Sequence, residues 1–110
     1  MSLSKQQQEF VRKVADLIQF ATSKGYGLTF GDAYRSQEQA NKNAAMGIGV
    51  SNSLHCKRLA IDFNLFKDGK YLTGTEQYKE LGEYWESIGG VWGGRFKRGD
   101  GNHFEWKEEV

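Results

Sequence analysis

The chain of 110 residues contains no proline, one cysteine and two histidines, and 15 Lys and Arg against 14 Asp and Glu leave a net charge of +1. Each scarcity removes a class of protein. The lone Cys56 cannot close an internal disulfide, which suits synthesis in a reducing compartment. Near-neutral charge provides no electrostatic footprint for nucleic acid or for an acidic membrane surface. No apolar run approaches the ~20 residues that cross a bilayer. The opening Met1-Ser2-Leu3-Ser4-Lys5-Gln6-Gln7-Gln8 lacks the hydrophobic stretch of a secretory signal. The expectation is a protein made in the cytoplasm, without a nucleic-acid partner and without membrane insertion. Neither G-x-x-x-x-G-K-S/T nor G-x-G-x-x-G occurs, so the glycines form no recognisable phosphate cradle.

What is present suffices for one packed core: 38% hydrophobic and 14% aromatic residues in a chain of ordinary domain length. No repeat or linker divides it, so residues 1–110 are read as a single domain. With no proline, the 14 glycines punctuate the chain, clustering at Gly47 and Gly49, at Gly89, Gly90, Gly93 and Gly94, and at Gly99 and Gly101. Ser4 with Gln7 predicts a capped first helix with an apolar stripe of Phe10, Val14, Leu17, Ile18 and Ala21, ended by Gly25. Tyr26 to Tyr34 reads as a strand, and Ser36 with Gln39 caps a short helix from Gln37 to Met46. Leu59 to Phe66 alternates as a strand, with Ala60, Asp62 and Asn64 on the face opposite Leu59, Ile61, Phe63 and Leu65. Asp68-Gly69 marks a hairpin turn, Thr75 to Ile88 a second long helix, and Val91-Trp92 and His103 to Trp106 short strand pieces. An α+β domain is the economical result.

The chemistry concentrates at the histidines. His55 stands seven residues before Asp62, and His103 three residues after Asp100. Two imidazoles and one carboxylate (His55, His103 and Asp62) make a three-donor set that leaves a fourth position open, the arrangement of catalytic zinc. Two nitrogens and an oxygen also suit iron, cobalt or nickel. Asp62 would point from its strand towards the ion, and His103 would arrive on a neighbouring antiparallel strand. Asp100 would approach without binding and serve as general base. Arg35, at a strand-to-helix junction, is the candidate to stabilise an oxyanion, and Ser53 to hydrogen-bond substrate or orient a ligand. Spacing alone leaves the plainer reading open, in which the histidines are satisfied core or surface residues and Asp62 a salt-bridge partner. Cys56 reads as a buried small side chain, and Trp85, Trp92 and Trp106 as core, with Trp92 or Trp106 also a candidate cleft wall.

At these residues the chain resembles the zinc D-Ala-D-Ala carboxypeptidase family, which includes VanY-type carboxypeptidases, vancomycin-resistance D,D-dipeptidases and phage L-alanyl-D-glutamate endopeptidases. Ser53, His55, Ala60 and Asp62 fall on its motif S-x-H-x-x-G-x-A-x-D, Asp100 and His103 on an acid-x-x-His motif, and Arg35 on an upstream arginine. The resemblance implies that His55, Asp62 and His103 bind Zn2+, that Asp100 is the base and that Arg35 stabilises the transition state. It implies a small α+β domain whose antiparallel sheet carries a central zinc site between flanking helices, as in Hedgehog and D-Ala-D-Ala peptidases. Arg58 replaces the motif glycine, which requires a loop conformation open to a residue with Cβ. Asp100 replaces the Glu of many relatives.

The run Leu59 to Phe66 and Trp92-Gly93-Gly94-Arg95-Phe96 is most similar to compact phage and prophage members. That implies a monomeric endolysin cutting L-Ala–D-Glu in peptidoglycan stem peptides, made in the cytoplasm and acting on the bacterial cell wall after release. A D,D-carboxypeptidase or D,D-dipeptidase is the same-chemistry alternative. A non-catalytic zinc-binding interaction module, on the pattern of Hedgehog, is the alternative of a different class, disfavoured by Asp100 and Arg35.

Overall fold

The computed structural model describes residues 1–109, beginning with helix α1 (Leu3–Ser23). Its cap is Ser2 and not Ser4: the Ser2 hydroxyl accepts from Lys5 N–H at 3.2 Å, from extended backbone. Ser4 is already helical, and its hydroxyl accepts from the Gln8 amide instead. Either serine can accept from the N–H three residues on, and the cap that adds two helical residues wins because Leu3 remains good helical sequence. The buried stripe is Phe10, Val14, Leu17 and Ala21, joined by Gln6. The Gln6 amide donates to the carbonyls of Met1 and Glu109 and accepts from Glu109 N–H at 2.7 Å, so one buried side chain ties both ends of the described chain.

Strand β1 (Tyr26–Phe30) is shorter than its aromatic pattern predicts. Helix α2 (Gln37–Ala45) follows, capped by Ser36, whose hydroxyl accepts from Gln39 N–H. A 3₁₀ turn (Leu54–Lys57) leads into β2 (Ala60–Lys67), and Asp68-Gly69, both at positive φ, turns it back into β3 (Lys70–Leu72). The expected second long helix divides into a 3₁₀ turn (Thr75–Tyr78) and helix α3 (Lys79–Ser87). The Gln77 side chain accepts from Gly74 N–H there. Strands β4 (Val91–Trp92) and β5 (His103–Glu105) complete an antiparallel sheet ordered β1-β2-β5-β4, with β3 also pairing β2. No helix among the described residues is long and apolar enough to cross a membrane.

Alternation along β2 divides its faces. Ile61, Phe63 and Leu65 enter a core with Leu17, Leu81, Trp85, Trp92 and Phe104, while Asp62 and Asn64 face away. Burying each large side chain contributes about 1.5–3 kcal/mol, enough for one wall of the sheet to be fixed by packing. The glycines around Trp92 serve close approach. A Cβ added at Gly82 or at Gly94 would fall on the Trp92 ring, which is 3% exposed and donates from Nε1 to Gly101 O at 2.8 Å. Trp92 therefore has no free direction to yield. Gly82→Ala is expected to destabilise the fold by about 3 kcal/mol, the upper range for overpacking. Urea unfolding checks this, and a loss below about 1 kcal/mol would show that the indole can move.

Candidate metal centre

The face of the sheet turned away from the core carries the site. Phe63 N–H donates to Asn102 O and Trp106 N–H to Leu59 O, which makes Asp62 and His103 a directly opposed, non-hydrogen-bonded pair between β2 and β5. Side chains approach most closely at such pairs. His103 Nδ1 lies 3.2 Å from Asp62 Oδ1. His55 comes from the 3₁₀ turn, where Ser53 caps the segment by accepting from His55 N–H at 3.2 Å, and its Nε2 reaches the same Asp62 Oδ1 at 3.3 Å. His55 and His103 are buried, with ring centroids 5.0 Å apart.

The donor atoms of His55, Asp62 and His103 lie within 4.8 Å of one another. Two donors bound to zinc at about 2.0–2.1 Å in a tetrahedron stand about 3.3–3.4 Å apart, which matches both separations to Asp62. His55 Nδ1 is the one buried side-chain polar atom without a hydrogen-bond partner among the described residues. Geometry and donor type thus fit a metal ion, and zinc in particular. In the chain alone the cluster is ionic. Burial opposes ionisation of Asp62, yet hydrogen bonds to His103 and His55 bring its pKa down to about 2. Burial likewise opposes the His103 imidazolium, but contacts with Asp62 and Glu105 raise it to about 9.

The remaining expected residues surround this cluster. Asp100 approaches His103 Nδ1 at 4.0 Å with a half-exposed side chain, and burial, aided by the Asp62 charge, pushes its carboxyl upward. Arg35 lies in the loop that joins β1 to α2. Its N–H donates to His55 O, and its guanidinium, 19% exposed, is 3.4 Å from Asp32. Arg35, Ser53, His55, Asp62, Asp100 and His103 all line one cleft of about 1090 Å³. Segment 47–53 and Phe96 also line it, and Phe96 packs its ring 5.6 Å from that of His103.

Three expectations change. Cys56 is partly exposed and lines the cleft, because the 3₁₀ turn carries its side chain outward, with Sγ near Ser36 O. Trp92 and Trp106 are not among the cleft residues; Trp92 is core, and Trp106 packs on Trp85. Arg58 sits at φ +56° and ψ +37°, the left-handed region, so the loop keeps the turn that favours glycine. That conformation costs a residue with Cβ about 1–2 kcal/mol. Its guanidinium lies 4.0 Å over the Tyr34 ring, an attraction that offsets part of the strain. The residue that spacing did not single out is Glu105, whose Oε1 is 2.7 Å from His103 Nε2. The strand period was its signal: residues 103 and 105 share a face.

The family model described as D-alanyl-D-alanine carboxypeptidase matches residues 47–106, a span that includes His55, Asp62, Asp100 and His103. No curated protein sequence matches the chain. Among solved structures, the L-Ala D-Glu endopeptidase ChiX of Serratia marcescens is similar at a TM-score of 0.74 and 18% identity, over 91% of this chain and 79% of that one. The vancomycin-resistance D,D-pentapeptidase VanY of a VanB-type cassette, an alanine variant solved with Zn(II), is similar at 0.62 and 20% identity, over 89% and 70%. These two share the fold. By the family match over more than half its length, the chain belongs to the D-alanyl-D-alanine carboxypeptidase family of peptidases.

Proposed function

We propose that the protein is a zinc-dependent peptidase of peptidoglycan stem peptides, and that it is an endopeptidase cutting L-Ala–D-Glu, as a phage or prophage endolysin does. The observation that carries the reading is the convergence of His55 Nε2 and His103 Nδ1 on Asp62 Oδ1, with Asp100 on the same side of the His103 ring. His55, Asp62 and His103 would hold the ion, which would supply Lewis acidity and lower the pKa of the attacking water. The Asp100 carboxylate takes the proton of the attacking water and passes it to the leaving amine. The Arg35 guanidinium, fixed beside His55 by its own N–H, meets the oxyanion that develops on the attacked carbonyl. Ser53 orients His55, and its hydroxyl hydrogen remains available to a substrate carbonyl.

A cleft of about 1090 Å³ stands at the upper end of the range for ligand pockets and has room for a peptide. The structural similarity to an enzyme described as an L-Ala D-Glu endopeptidase supports the same choice. The second reading, removal of a terminal D-Ala, is favoured by the description of the matching family. Both differ from a non-catalytic module, which has no use for Asp100 or Arg35 in the cleft.

Mass spectrometry of purified peptidoglycan digested with the zinc-loaded protein, beside a chelated control, tests this. Metal-dependent new L-Ala and D-Glu termini are expected. Loss of terminal D-Ala alone transfers the assignment to a carboxypeptidase, and no product with zinc bound removes the enzymatic reading. Arg35→Ala is expected to lower kcat by roughly 10²–10³-fold with KM little changed. Steady-state kinetics check this, and an effect confined to KM would reassign Arg35 to ground-state binding.

A further inference from the structure

We infer that Glu105 is a positioning residue for the metal centre: its carboxylate accepts the Nε2 proton of His103 and so fixes the tautomer whose Nδ1 lone pair faces Asp62 and the ion. The inference rests on the zinc site proposed above. Three acids approach His103 and divide between the opposite nitrogens of its ring, Asp62 and Asp100 at Nδ1 and Glu105 at Nε2. Asp100 approaches Nδ1 at 4.0 Å, whereas Glu105 Oε1 is 2.7 Å from Nε2, the length of a charge-assisted hydrogen bond. Glu105 therefore stands behind the imidazole, away from the converging donors, and is not one of them.

Its backbone is held on both sides. Glu105 is opposed by Ala60 on β2 and by Val91 on β4, and Trp85 Nε1 donates to Glu105 O at 3.0 Å. Ala60, fully buried, is the small residue across from the carboxylate, which leaves that side chain room to lie along the strand towards His103. The Glu105 side chain is 19% exposed, too enclosed for a solvated surface acid. A carboxylate on the far nitrogen of a ligating histidine locks ring orientation and makes the near nitrogen a better donor. Glu105 also borders the cleft, and it acts on the reaction through the His103 ring that its carboxylate holds.

The test uses Glu105→Gln, which keeps an acceptor oxygen and loses the charge, and Glu105→Ala, which loses both. Zinc affinity is measured by chelator competition, and the exchange of the His103 Nε2 proton by ¹⁵N NMR of the zinc-loaded chains. Zinc binding about tenfold weaker in Gln and about 100-fold weaker in Ala is expected, with the Nε2 proton protected in the wild type and exposed in the Ala variant. Affinities within about twofold of wild type would overturn the inference and leave the zinc site standing. Weaker binding with an unchanged Nε2 proton would overturn it as well, because the loss would then not act through the tautomer. If Ala does not fold, the near-isosteric Gln carries the same comparison. A wild-type chain that takes up no zinc removes the metal centre, and this inference with it.

Discussion

Asp100→Asn is expected to leave zinc bound and to lower turnover by about 10²–10⁴-fold, the contribution of a positioned general base. The substitution keeps size and shape and removes only the charge and the basic oxygen. The backbone of Asp100 is unaffected: its N–H donates to Gly93 O at 3.0 Å, and its carbonyl accepts from His103 N–H at 3.1 Å. Its carboxylate stands 4.0 Å from His103 Nδ1, beyond hydrogen-bond distance, so the three donors are expected to stay where they are. Metal analysis of the purified variant together with kcat on peptidoglycan separates the two quantities. Full activity would remove Asp100 from the base position, whereas loss of zinc would make it part of the binding set.

His103→Ala is expected to have the opposite signature, abolishing activity because the ion is not retained. The variant deletes one of three donors, and it leaves the Asp62 carboxylate with only His55 as a partner in the cluster. The partly buried Glu105 carboxylate loses its partner too. Unpaired charge in such surroundings is costly, so the metal-free variant should also unfold more readily than metal-free wild type. Zinc stoichiometry should fall from about one per chain to near none, and the unfolding temperature should no longer respond to chelator. Zinc retained at wild-type stoichiometry would exclude His103 from the ligand set.

Much of the fold was legible because periodicity reports burial. The stripe of α1, the alternation of β2, the Ser36 cap and the Asp68-Gly69 turn are each local patterns with one physical solution. The same alternation made Asp62 point away from the core, where the structure brings His55 and His103 to it. What was not legible depends on contacts distant in sequence. Ser4 alone has the Gln of a capping-box pattern, yet the continuation of the helix through Leu3 selects Ser2. Gly94, which looks like a loop marker, and Gly82, inside the expected helix, are spaces for the Trp92 indole. Arg58 reads as a departure that relaxes its loop, yet it keeps the left-handed turn and leans on Tyr34, a residue 24 positions earlier. Glu105 was visible as an acid on a strand, but its partner nitrogen is a matter of side-chain conformation.

The opposed pair of Asp62 and His103 has a consequence for strand alignment. Strand β5 has three residues and β4 two, too few for ladder bonds alone to choose one pairing decisively. Shifting β5 by one residue would bring Phe104 to the outer face and turn His103 into the core. Only the observed pairing lets donors 41 positions apart share one ion. Zinc bound as proposed would discriminate against every neighbouring alignment, so the ion would act as a proofreader of the sheet as well as a reagent in the cleft.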